Sequence, residues 1–169
     1  HSVAAALAAE SLQAHCRVSL PGETYAAALL HDVGKLVMAR FLDDEMLRVL
    51  AEGRKQGGLS SRLAETEVLQ VHHGELGGLI AQHWQLPERM VTGIIYHHTP
   101  DQTRDLIADA VHVANVSAKL AGTGYTASEA DLQVAPTSLE RLGMSQEAVL
   151  QLASEVTAKL EKVLAVYGG

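Results

Sequence analysis

The chain has 169 residues, 47% of them hydrophobic but only 4% aromatic, and a formal net charge of -7. That length fits one compact domain whose core is packed by Leu, Val, Ile and Ala, a mixture that favours helix over sheet. The acidic balance, with no Lys/Arg run longer than a pair, lacks the basic stripe of a sequence-independent nucleic-acid binder, so no direct nucleic-acid binding is expected.

Helical periodicity runs through most of the chain. Val3 to Cys16 is Ala-rich with Leu7 and Leu12 on an apolar stripe, and Pro21-Gly22 breaks it. Tyr25 to Phe41 reads as one very apolar helix suited to the core centre. Asp43 to Gln56 is a more charged, peripheral helix closed by Gly57-Gly58, and Ser60/Ser61 cap the next, towards Val71. His73 to Trp84 follows. Pro87 then opens a helix carrying Met90, Ile94 and Ile95 to His97-His98, where Thr99-Pro100 stops it. Leu106 to Leu120 is strongly apolar and ends at Gly122-Thr123-Gly124. Thr137 and Glu140 have capping-box spacing for a short helix that Gly143 terminates, and Ser145 caps a long amphipathic helix to Val166. That last helix either completes the bundle or docks another subunit, the first being preferred. No alternating strand pattern, repeat or linker interrupts this order, and the 124–136 stretch is the only long loop. The fold class is all-α, one domain over residues 1–169.

Cys16 is the only cysteine, which rules out an internal disulfide, and the chain reads as intracellular and cytoplasmic. No apolar run approaches a membrane span and nothing at the start resembles a signal peptide, so no membrane association is expected. The chain begins at His1 rather than Met, within a helical pattern, and is read as a piece of a longer protein.

Nine histidines are a high count, and most fall at helix ends or on apolar helices: His1, His31, His72, His73, His97, His98 and His112. Buried imidazoles cost free energy unless hydrogen-bonded or ligated. A shared metal centre accounts for them together, and imidazole with carboxylate suits Fe, Mn, Zn or Ni. His31-Asp32 is the sharpest feature. Neighbours on a regular helix diverge by about 100°, but at a helix end, or across two ions, both can flank a metal. The Asp32 carboxylate can bridge two cations that activate water and clamp a phosphate, and Lys35 can meet that phosphate as a point charge. The alternative is that Asp32 only caps a helix or pairs with Lys35. His97-His98 reads either as a ligand pair or as a C-terminal cap favoured by the helix dipole. His72-His73 reads the same two ways, as ligands or as ordinary surface and core neighbours. His15 and His83 read as structural, and His112 as a core histidine satisfied by a hydrogen bond.

In order, His1, His31-Asp32, His73 and His97-His98 resemble the HD superfamily, and Ala28-Leu-Leu-His-Asp-Val-Gly-Lys35 is similar to its signature. Three stretches resemble its HDOD branch: His73-Gly-Glu-Leu-Gly77 its H-x-E-x-G, Trp84-Gln-Leu-Pro87 its W-x-L-P, and Val113-Ala-Asn115 its Ala-Asn motif. Tyr96-His97-His98 also fits, and the resemblance runs from His1 to about Gly124. It implies an HD-like helical bundle with a central metal site. The ligand set it implies is His1, His31 and Asn115 for one ion and His73, His97 and His98 for another, with Asp32 between them. The cofactor is then a divalent metal, one ion or two.

The resemblance implies a bacterial signal-transduction or regulatory module with protein partners. The alternative is a metal-dependent phosphohydrolase acting on nucleotides or cyclic dinucleotides, with Asp32 and Lys35 as catalytic residues. Two departures favour the first. Thr-Pro-Asp-Gln follows His97-His98, without the D-G-x-G-Y-P of the cyclic di-GMP-hydrolysing relatives, and Asn115 stands where catalytic members carry Asp. A neutral amide oxygen binds hard divalent ions more weakly than a carboxylate.

Overall fold

The computed structural model describes residues 1–57, 60–124 and 132–167, and among these it contains helices and no strand. In chain order they are α1 (Ser2–Leu12), α2 (Thr24–Leu30), α3 (Val33–Phe41), α4 (Asp44–Gly57) and α5 (Ser61–Leu69). They continue as α6 (His73–His83), α7 (Glu88–Tyr96), α8 (Leu106–Leu120), α9 (Pro136–Leu142) and α10 (Gln146–Tyr167), with short 3-10 turns at Gln13–His15 and Pro100–Gln102.

The core centre is α8, where every residue from Ile107 to Ala118 is buried. α1 lies against it and against α2 and α10. Ala4, Ala5 and Ala8 are fully buried there, because methyl side chains let helix axes approach closely. α10 closes the bundle with Val149, Leu152 and Val156, all at 0% exposure. α4 and α5 pack on each other at the periphery, where the charge pattern of Asp43 to Gln56 puts the first of them. Among the described residues no helix is long and apolar enough to cross a membrane.

Two expectations are corrected. The Tyr25–Phe41 run is not one helix, and it is not the core centre. It breaks at His31-Asp32, where Asp32 leaves helical geometry at φ -98° and ψ 10°, and the two halves enclose a polar cluster. α3 buries only Gly34 and Met38, while Leu36 and Phe41 face outward. Thr137 does not cap α9. Ala135 occupies the N-cap, Pro136 takes the first helical position, and the Thr137 hydroxyl donates to Asp101 Oδ1 instead. Other ends follow the sequence. Ser60 Oγ accepts from the Leu63 amide, Ser145 Oγ from the Ala148 amide, and Gly143 closes α9 at φ +65°. Gly58, and 125–131 of the expected long loop, lie outside the described residues.

The helices nearest the polar cluster cross with little room. A Cβ on Gly34 of α3 would run into the His73 carbonyl oxygen and come within 2.9 Å of the Gly77 amide nitrogen of α6. This contact carries the α2–α3 break, and so Asp32, up against the start of α6.

Candidate metal centre

Each histidine of the cluster sits at a helix boundary. His1 is the N-cap of α1, His31 the C-cap of α2, His73 the first residue of α6 and His97 the C-cap of α7. End positions free the side chains from the helical barrel and aim them at one point. His31, His73 and His97 are fully buried, and Asp32 is 9% exposed.

The hydrogen bonds fix which ring nitrogen faces inward. His31 Nδ1–H donates to the Ala28 carbonyl at 2.6 Å, and His97 Nδ1–H to the Ile94 carbonyl at 2.7 Å. His73 Nδ1–H donates to Glu65 Oε2 at 2.5 Å, and the same oxygen accepts the His73 backbone N–H at 2.8 Å. Thr123 donates its own proton to the Ala118 carbonyl, so at 3.1 Å it accepts from His1 Nδ1. All four rings thus commit Nδ1–H outward and turn Nε2 inward, the arrangement by which outer groups orient metal-binding imidazoles.

Those Nε2 atoms surround Asp32. Its Oδ1 lies 3.2 Å from His73 Nε2 and 4.0 Å from His97 Nε2. Its Oδ2 lies 3.5 Å from His31 Nε2, 3.7 Å from His1 Nε2 and 2.8 Å from Lys35 Nζ. His98 Nε2 is 3.0 Å from His73 Nε2, and Asn115 Oδ1 is 3.0 Å from His1 Nε2. Every residue of the sequence-derived set is therefore in one place. Two triads, His1/His31/Asp32 and His73/His97/His98, each keep their donor atoms within 4.8 Å of one another. Lys35 pairs with Asp32, so the ion pair weighed as an alternative exists inside the cluster.

Burial, ahead of every other influence, pushes the imidazole pKa of His31, His97 and His98 below the usual histidine range. Burial alone would raise the Asp32 carboxyl. His31, Lys35, His73 and His97 outweigh it and hold Asp32 ionised well below the usual carboxylate range. The site thus presents imidazole nitrogens around one carboxylate. His31 Nε2 and Asp32 Oδ1 are buried without a hydrogen-bond partner. An orphaned buried acceptor costs about 1–3 kcal/mol, and a divalent cation is the group that would satisfy both at once. The donor set fits such an ion.

Sequence reasoning missed Glu65. This α5 carboxylate is 6% exposed, and its role depends on the contact between α5 and α6. In the sequence Glu65 is an ordinary Glu beside Ala64 on a short helix, which names no partner. His72 stays out of the cluster: its Nδ1 accepts from the Gly74 amide, while Glu75 accepts the His72 amide. His112 is the satisfied core histidine expected, donating from Nδ1 to the His97 carbonyl at 2.8 Å and accepting the Ala135 amide at Nε2. His15 bonds Glu155 away from the site.

The HDOD domain model matches residues 1–100, which contain all of the cluster except Asn115. The chain belongs to the HDOD domain family. An uncharacterized protein of Treponema pallidum is 31% identical over 103 residues, which cover 59% of this chain and 20% of that protein. A Marinobacter aquaeolei VT8 structure, provisionally named a signal transduction protein, superposes with a TM-score of 0.79 at 20% identity, over 99% of this chain and 38% of that one. An HDOD domain protein of unknown function from Geobacter sulfurreducens gives 0.75 at 22% identity, over 98% and 59%. A Shewanella amazonensis SB2B protein, provisionally named a phosphohydrolase, gives 0.67 at 19% identity, over 94% and 61%. This HDOD chain therefore shares the fold of those three structures and spans from a fifth to about three-fifths of the length of the proteins it matches.

Proposed function

We propose that this chain is a bacterial, cytoplasmic signal-transduction module, acting within a longer protein, whose His/Asp centre binds a divalent metal and whose output passes through protein contacts. The observation that carries the metal reading is the set of four histidines with Nδ1 committed outward and Nε2 turned towards Asp32. His1, His31 and Asn115 would hold one ion and His73, His97 and His98 the other, with Asp32 shared. Fe, Mn, Zn and Ni suit the donors. HDOD membership and the provisional name of the Marinobacter neighbour support the signalling part. The test is thermal unfolding of His31→Ala with metal and after chelation. The variant loses more stability relative to wild type when metal is present; equal losses in both states would mean that His31 only packs.

One observation favours a second reading, a metal-dependent phosphohydrolase. The two oxygens of Asp32 face different triads, and Lys35 places a cation beside them. When bound, paired ions supply Lewis acidity and activate water. The chain's own part is to orient the donors and to set the Lys35 ammonium against a phosphate oxygen. Asn115 in the donor set ranks this reading second. Metal-loaded protein incubated with cyclic di-GMP, nucleotides and a generic phosphodiester decides it: turnover abolished by Asp32→Ala supports it, and turnover unaffected by that change removes Asp32 from the chemistry.

A further inference from the structure

A pocket of about 280 Å³ opens beside the His/Asp centre, between the start of α1 and the α2–α3 break. Asp32 and Lys35 line it together with Leu29, Leu30, Val33 and Leu36. The remaining lining residue, Ser2, adds the one neutral hydrogen-bonding side chain. Leu36 is 72% exposed and Leu29 37% exposed, so aliphatic surface stands uncovered at the mouth while a charged pair lies within.

Volume, charge and wall chemistry limit what fits. Pockets for drug-sized ligands run from about 300 to 1,000 Å³, so this one takes a small molecule and not a whole cyclic dinucleotide. Bases are held by stacking on aromatic or guanidinium planes and by hydrogen bonds to their edges. The walls carry no aromatic ring, no guanidinium and no amide side chain. A bound divalent cation is the largest local charge in such a site. Asp32 is the one carboxylate in the proposed donor set, so it offsets only part of that charge, and Lys35 adds a cation beside it; an anionic head is favoured.

We propose that this pocket selects a small phosphate ester or similar oxyanion bearing a short aliphatic group, its head towards Lys35 and the His/Asp centre and its chain between Leu29, Leu30, Val33 and Leu36. The assignment rests on the metal-centre reading and narrows the ligand to a non-nucleotide.

Calorimetric titration of metal-loaded protein, with metal content measured on the same sample, tests it. The probes are inorganic phosphate, ethylphosphonate, butylphosphonate and AMP; the phosphonates carry C–P bonds, so the alkyl series is not lost to ester hydrolysis. A fully buried methylene is worth about fourfold in affinity, so butylphosphonate, with two more of them, binds about 15-fold more tightly than ethylphosphonate. Leu36→Ser, at an exposed position, reduces that gain and leaves phosphate affinity and metal content unchanged. Lys35→Met weakens every anion alike. A metal-loaded protein with no alkyl gain, an alkyl gain intact in both Leu36→Ser and Leu29→Ser, or AMP binding as tightly as butylphosphonate overturns the pocket assignment alone. Protein that takes up no metal overturns the metal reading and this assignment with it.

Discussion

At the residue scale the decisive feature is which imidazole nitrogen is committed. Glu65 takes the Nδ1 proton of His73 and so leaves Nε2 as the donor facing Asp32. Loss of such an outer carboxylate typically lowers metal affinity by about 10- to 100-fold. Glu65→Gln, which keeps size and an acceptor for the His73 amide, is expected to weaken metal binding by that factor in a chelator competition titration. Unchanged affinity would mean that the carboxylate only satisfies a buried N–H. The ligand candidates themselves were legible because they sit in short runs such as His31-Asp32 and His97-His98. Glu65 was not, since it stands eight residues from His73 on a separate helix whose docking only tertiary packing decides.

At the element scale the site depends on the α2–α3 break and on how closely α3 crosses α6. The apolar pattern from Tyr25 to Phe41 contains no Pro, and its one Gly lies beyond the break, so periodicity read a continuous helix. What stops it is the arrangement of His31 and Asp32 around one polar point, a tertiary effect with little local signal. Gly34→Ala drives a methyl group into the backbone of His73, which no side-chain rotation relieves. Overpacking of that kind costs about 1–3 kcal/mol and more where backbone must move, so a loss above about 3 kcal/mol is expected by urea unfolding. Gly22→Ala meets nothing within 4 Å and serves as the control, expected within about 0.5 kcal/mol of wild type. A Gly34→Ala protein as stable as the control would contradict the described crossing.

At the scale of the whole molecule, the sequence supports one all-helical bundle because apolar spacing, caps and breakers agree along the chain. It misplaced the core centre: the 25–41 run is the more obvious apolar stretch, yet α8 is the helix enclosed by α1, α7, α9 and α10. Burial also makes stability depend on pH. In the metal-free protein His31, His97, His98 and His112 each have a folded pKa below the usual 6.5, with burial the first cause in each. The unfolded chain therefore binds more protons than the native state as pH falls through about 6.5, so stability present above that pH is lost below it. With chelator present, the urea midpoint at pH 5.5 is expected to lie below that at pH 7.5. A flat or rising midpoint would contradict neutral, buried imidazoles.

The most direct test of the central claim is elemental analysis of the protein after expression with Fe, Mn, Zn and Ni supplied. One to two equivalents of transition metal per chain are expected, with a clear loss in Asp32→Ala; a folded wild-type protein carrying none of these metals would contradict the metal centre.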